Sequence, residues 1–166
     1  PEEVGETIPF TLAVYPQESF HPALSKNRTN LLLAPLLYQP LYRLDEGFEP
    51  QPVLASGAIA SEDKLTWTIS LKNAAFSDGT PLTGKVAADA LNAARVEGSR
   101  YAARLAGVTG VAAGEGSVVI TLSSPNGNLP ALLDIPISLG DGPRPLGTGP
   151  YVLREEEAVL SLEAAE

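Results

Sequence analysis

Few side chains in this sequence stand in patterns that perform chemistry. Asp78, in Ser77-Asp78-Gly79, is the most conspicuous carboxylate. General acid or base work needs a second titratable group facing it. Asp before Gly more commonly accepts a hydrogen bond from its own backbone two residues on, so an Asx-turn is the expectation. His21 is the single histidine and precedes Pro22. A metal site would need partner ligands at matching spacing, and a nucleophilic triad would need a Ser within its own signature. The sequence has no Cys and no G-x-S-x-G. No catalytic residue and no metal ligand is therefore assigned, and no cofactor is implied. Glu62-Asp63 and Glu155-Glu156-Glu157 read as solvated charge runs on turns. A hydrolase built on Asp78 or Glu62 would need carboxylates opposed across a cleft, which turn positions disfavour. Gly147-Thr148-Gly149 lacks the Lys-Ser/Thr of a phosphate loop. It reads instead as a backbone crossing that only small residues permit. Trp67 and Phe76 read as core.

The stretch from Leu65 to Ala94 must position Asp78. Leu65, Trp67, Ile69 and Leu71 alternate with Thr66, Thr68, Ser70 and Lys72, the period of a half-buried strand. Phe76 to Pro81 is a tight turn, since Gly accepts positive φ and Pro fixes φ. Thr83 stands at an N-cap, and Val86, Ala87, Ala90, Leu91 and Ala94 recur at helical spacing. The expected order is strand, rigid turn, helix.

Elsewhere Ile8 to Tyr15 alternates like a strand, and Pro16 to Asn30 is a long polar loop. Thr29 or Asn30 is the expected cap of a helix reaching Tyr38, with a break near Ala34 because of Pro35. Arg43 to Glu49 reads as a hairpin, and Ala58 to Ser61 as a short strand. Arg100 to Leu105 reads as a short helix or turn. Val108 to Ala113 and Ser117 to Leu122 form a hairpin around Gly114-Glu115-Gly116. Leu129 to Leu133 is a helical turn, and Ile135 to Leu139 a short strand. Tyr151 to Arg154 and Val159 to Glu163 make a final hairpin.

Two motifs about seventy residues apart carry a resemblance. Phe76-Ser77-Asp78-Gly79-Thr80-Pro81-Leu82-Thr83 is similar to the F-S-D-G-x-P-L-T of bacterial extracellular solute-binding proteins of the peptide/nickel type, family 5. These are the large periplasmic binding proteins of ABC importers. Pro145-Leu146-Gly147-Thr148-Gly149-Pro150-Tyr151 is similar to that family's G-T-G-P-Y. Leu36 to Tyr42 and Gln51 to Ala55 resemble the family between them. The resemblance runs from about Ile8 to Leu162 and covers roughly the first third of a full-length member. Two departures stand out. His21 occupies a place where Asp is usual. Thr83-Gly84-Lys85-Val86 replaces T-A-x-D, and losing that capping carboxylate costs about 0.5–1 kcal/mol.

The resemblance implies an α/β fold: one lobe of a type II, peptide-binding-class periplasmic binding protein, a partial fold with a mixed sheet, flanking helices and β-hairpins. Residues 8–55 and 140–166 would form the first-lobe sheet, and 56–139 a strand-helix-hairpin subdomain. The implied function is non-covalent capture of an oligopeptide or similar small solute between two hinged lobes, for an ABC importer, and not enzymatic turnover. Counting along the loop from Pro22 to Tyr38 places the family's ligand contacts on Lys26, Asn27 and Arg28, and a further segment places one on Tyr101. Lys26 and Arg28 suit a ligand carboxylate. The implied partners are a peptide or small-molecule ligand, a transporter permease and a second lobe of the same protein. The alternative is an acidic extracytoplasmic interaction domain that has lost transport.

Composition bounds these readings. The chain has 166 residues, 44% of them hydrophobic and 19% charged, an ordinary globular balance with enough length for a core. Twenty acidic residues against 11 basic give a net charge of −9, which argues against nucleic acid or an anionic membrane surface as partner. No apolar run approaches the ~20 residues of a membrane-spanning helix. The chain opens Pro1-Glu2-Glu3 without an initiator Met. A trimmed piece of an extracytoplasmic, lipid-anchored protein is the expectation.

Overall fold

A computed structural model describes residues 11–156 and 159–165. The elements run α1 (Arg28–Leu31), α2 (Ala34–Leu37), β1 (Gln39–Pro40), β2 (Tyr42–Leu44), β3 (Pro50–Pro52), β4 (Ala55–Ala60), β5 (Thr66–Leu71), α3 (Gly84–Arg95), β6 (Val108–Gly114) and β7 (Ser117–Leu122). A 3₁₀ turn (Leu129–Leu132), β8 (Pro136–Ile137), β9 (Tyr151–Glu156) and β10 (Val159–Ala164) follow. The α/β class expected from the sequence is the class observed. Every strand pairing among the described residues is antiparallel.

The principal layer is a four-stranded sheet in the order β4-β5-β7-β6 with α3 packed on it. The alternation seen in the sequence decides its inner face. Trp67 and Ile69 on β5 and Val118, Ile120 and Leu122 on β7 are buried, whereas Thr66, Thr68 and Ser70 are not. Registers Trp67–Ile120 and Ile69–Val118 align the buried side chains in rows across the sheet. Each such side chain contributes about 1.5–3 kcal/mol of burial. The helix presents Ala87, Ala88, Ala90, Leu91 and Ala94 to the sheet. These are mostly alanines, so helix and sheet approach closely. Thr83 caps α3 as expected, its Oγ1 accepting from the Val86 N–H at 3.3 Å. Trp67 is buried, and its Nε1–H donates to the Asn126 carbonyl at 3.0 Å, so the indole keeps its polar atom satisfied.

A second, separate core is smaller. Phe20, Leu33, Ala34, Leu37 and Tyr38 pack together, with Leu153, Leu160 and Leu162 of the β9–β10 hairpin laid over them. The G-T-G stretch runs against this core. A Cβ added at Gly147 would sit 1.8 Å from the Leu37 carbonyl oxygen, and one at Gly149 would sit 2.4 Å from the Leu37 carbonyl carbon. Both distances are far inside contact, so the crossing expected from the sequence is what the glycines serve. The Gly149 N–H donates to the same Leu37 oxygen at 3.0 Å, and the Tyr38 hydroxyl donates to Pro145 O at 3.0 Å.

The N-terminal readings need correction. Thr11 to Tyr15 forms no strand, and the rest of the expected strand, Ile8 to Phe10, lies outside the described residues. Tyr15 bonds instead to the side chain of Asn30: its N–H donates to Asn30 Oδ1 at 2.8 Å, and its carbonyl accepts from Nδ2 at 2.9 Å. That use of Asn30 removes it as a helix cap. Asn27 caps α1, accepting from the Asn30 N–H at 3.0 Å. The restart expected near Ala34 is observed: α1 ends at Leu31 and α2 begins at Ala34, with Pro35 in the first turn, where a missing N–H costs nothing.

Candidate binding corner

The residues expected to touch a ligand lie where the loop before α1 meets the segment after α3. Two contacts join these pieces. The Arg100 N–H donates to the Ala23 carbonyl at 3.1 Å, and Lys26 Nζ donates to the Gly98 carbonyl. The loop itself is held by short-range bonds. His21 Nδ1 accepts from the Ala23 and Leu24 N–H groups at 3.2 and 3.3 Å. Ser25 Oγ donates to the Ser19 carbonyl at 2.6 Å and accepts from the Asn27 N–H at 3.2 Å. His21 thus does the turn-closing work that an Asp side chain does at such a position.

The structure treats the four expected contact residues differently. Lys26 and Arg28 are exposed, and Arg28 opens α1. Asn27 is committed to capping, with its backbone carbonyl also accepting from Leu31 N at 3.1 Å. Tyr101 is half-buried against the main core. Burial pushes its phenol above the ordinary value, while Arg100 and Arg104 pull it down. The corner therefore brings Lys26 and the Tyr101 segment together, and it spends the Asn27 side chain on the helix.

Two further residues were not singled out in the sequence. The guanidinium carbons of Arg100 and Arg104 lie 5.4 and 5.3 Å from the centre of the Tyr101 ring. Cation–π contact of this kind holds each charge against the ring face. Arg104 is also anchored to the Asp134 carbonyl at 2.7 Å. The one available signal was the position of Arg104 three residues after Tyr101, a spacing that places two side chains on one side of a helical turn; Arg100, the adjacent residue, carried none. Four cations, Lys26, Arg28, Arg100 and Arg104, thus occupy two joined segments of a chain whose net charge is −9. Such a corner suits an anionic or polar solute group, held by charge-assisted hydrogen bonds beside an amphipathic ring.

The other chemistry-bearing positions are structural. Asp78 Oδ1 accepts from the Thr80 N–H at 2.9 Å, the expected Asx-turn, and Gly79 has φ +86°. Asp63 closes a similar turn with Ser61 and Leu65. Phe76 is buried. Among the described residues, no three His, Asp or Glu side chains gather as a metal would require. No helix among them is long and apolar enough to cross a membrane. An open depression of about 520 Å³ lies between Pro16–Glu18, Gly142–Arg144 and Glu155, and includes none of the four expected contact residues.

Comparison with known proteins agrees with this fold. Residues 49–166 match the family model for bacterial extracellular solute-binding proteins, family 5, middle part. A search of curated protein sequences returned no significant match. Among solved structures, NikZ from Campylobacter jejuni in complex with Ni(L-His) superposes with a TM-score of 0.72 at 21% identity, over 89% of this chain and 33% of that one. MoaA from A. tumefaciens R10, in complex with mannopinic acid, gives 0.75 at 22% identity, over 89% and 34%. OppA from Listeria monocytogenes, bound to peptide, gives 0.71 at 19% identity, over 94% and 38%. The chain spans about a third of the length of these structures.

Proposed function

Because this chain belongs to the bacterial extracellular solute-binding proteins of family 5, we propose that it is part of a two-lobed receptor that captures a small solute without covalent chemistry and presents it to the permease of an ABC importer. In this reading the chain supplies one lobe. The division expected from the sequence, residues 8–55 with 140–166 as one part and residues 56–139 as the other, belongs to this reading, and a second lobe closes over the ligand. The place of action is outside the cytoplasm, with a lipid anchor on the full-length protein.

The observation that carries the site is the junction of the Lys26–Arg28 loop with the Gly98–Arg104 segment around Tyr101. Its charge favours a solute bearing a carboxylate. The solutes named for three similar structures, an L-histidine complex of nickel, mannopinic acid and a peptide, all carry carboxyl groups. Extended peptides also bind chiefly through main-chain hydrogen bonds, which polar loops supply.

A thermal-shift screen of the intact protein against peptides with free and with amidated C-termini tests this. The expected result is a shift with free-carboxylate peptides, with affinity about tenfold weaker on amidation, the usual worth of a hydrogen bond to a charged group. Equal shifts with both series would remove the carboxylate assignment. No shift with peptides, opines or nickel–histidine would remove the capture reading.

A further inference from the structure

His21 is 3% exposed, and its ring nitrogen Nδ1 is an acceptor for two main-chain N–H groups at once, those of Ala23 and Leu24. An imidazole can accept at Nδ1 only when that nitrogen carries no proton, so the ring must be neutral with its proton on Nε2. A proton added to Nδ1 would point a donor at two donors and place a charge in a buried turn. The turn is not isolated. The Ser25 N–H donates to the His21 carbonyl at 3.0 Å, the His21 N–H donates to Ser19 Oγ at 3.0 Å, and the Ala23 carbonyl accepts from Arg100. Immediately after it come Lys26, Asn27 and Arg28.

We propose that His21 is an acid-sensitive latch: neutral, it closes the turn that positions the Lys26–Arg28 loop against Gly98–Arg104, and protonated, it releases that loop. An Asp at the same place would keep its acceptor across this pH range, so the histidine adds a pH dependence the carboxylate lacks. The charged groups on the elements bonded to this turn are Asp141 and Arg144 of the loop whose Pro143 carbonyl accepts from Phe20, Arg100 and Arg104 of the segment bonded to Ala23, and Glu18 and Lys26 on its own loop. Asp141 favours the protonated ring, but desolvation outweighs it and holds the imidazole below its ordinary pKa. The stability tied to this turn is therefore complete above the ordinary histidine value of 6.5 and is lost as pH falls through the lower folded value. This inference concerns the loop's own bonds and stands whether or not the corner takes a carboxylate.

The test is hydrogen exchange of the Ala23 and Leu24 amides on the purified protein from pH 8 to pH 4.5, read as protection factors, beside an NMR titration of the His21 ring. Protection should fall at least tenfold as the ring titrates, with its midpoint below 6.5. In His21→Asn, whose Oδ1 accepts without titrating, protection should hold across the same range, and His21→Asp serves equally if the Asn variant folds poorly. Protection that survives full protonation of the ring, or is lost alike in the non-titrating variants, would overturn the latch.

Discussion

The backbone N–H of Ser77 donates to the carbonyl of Gly147 across 3.1 Å. These residues belong to the two motifs that stand seventy positions apart, the Ser-Asp-Gly turn and the Gly-Thr-Gly crossing. The bond fastens the end of the β5 segment to the strip of backbone that lies on α2. Thr148 adds a side-chain bond from Oγ1 to Gln39 Oε1 at 3.0 Å, and Leu146 pairs with Leu139 through two backbone bonds at 2.8 and 2.9 Å. The turn, the crossing and the β1–β8 region are thereby one connected piece of backbone, and the glycines hold it together by being small.

Gly147→Ala and Gly149→Ala should each destabilise the fold by about 3 kcal/mol or more, because the clash is with backbone that cannot rotate away. Gly142→Ala, where an added Cβ meets nothing within 4 Å, should stay within about 0.5 kcal/mol. Urea unfolding midpoints of the three variants decide the matter. Equal effects at 142 and 147 would mean that the crossing is loose.

Asn30 is 1% exposed, and both ends of its amide bond Tyr15. Asn30→Ala should cost about 1–3 kcal/mol, since two main-chain groups of Tyr15 lose partners. Asn30→Asp should be equally poor, because the carboxylate cannot donate to the Tyr15 carbonyl. Thermal melts of both variants, with enhanced proteolysis near Tyr15 as a second readout, test this.

Lys26→Ala combined with Arg28→Ala should abolish the thermal shift given by a carboxylate ligand while lowering the melting temperature of the free protein by only about 2–4 °C, the worth of the lost Lys26–Gly98 bond. Exposed cations contribute little to stability. Lys26→Ala, Arg28→Ala, Arg100→Gln and Arg104→Gln measured singly would rank the four cations by their loss of affinity. An unchanged ligand shift in the double variant would take the loop out of the site.

Asp45, Asp63 and Asp78 each accept hydrogen bonds in exposed turns, and each carboxyl is held below its ordinary value. The largest cause is the Glu49 backbone for Asp45, the Ser61 hydroxyl for Asp63 and the Thr80 backbone for Asp78. A depressed folded pKa stabilises above the unfolded value near 3.8 and ceases to do so as pH falls through the folded one. Melting temperature should therefore fall in two separate ranges as the pH is lowered: below 6.5 as the His21 turn loses its contribution, and below about 3.8 as these aspartates lose theirs. Asp78→Asn should flatten part of the lower range and leave the upper one untouched.

Much of this architecture was legible before any coordinates. Alternation in Leu65–Leu71, the Thr83 cap, the Gly114-Glu115-Gly116 hairpin and the narrow Gly147–Gly149 crossing all follow from local stereochemistry, because period, cap and turn depend on residues within a few positions of one another. The Asx role of Asp78 was legible for the same reason. What lay out of reach depends on partners distant in the chain. Thr11–Tyr15 alternates like part of a strand but finds the amide of Asn30 rather than a neighbouring strand, and that same engagement moves the α1 cap to Asn27. Arg100 and Arg104 look like ordinary surface charge until the turn around Tyr101 stacks both on one ring. The close placement of the Lys26 loop beside Gly98 rests on two hydrogen bonds across more than seventy residues. Local sequence determines which segments are strand, turn or helix; only the folded chain decides which polar groups meet, because those partners lie far apart in sequence and are brought together by long-range contacts.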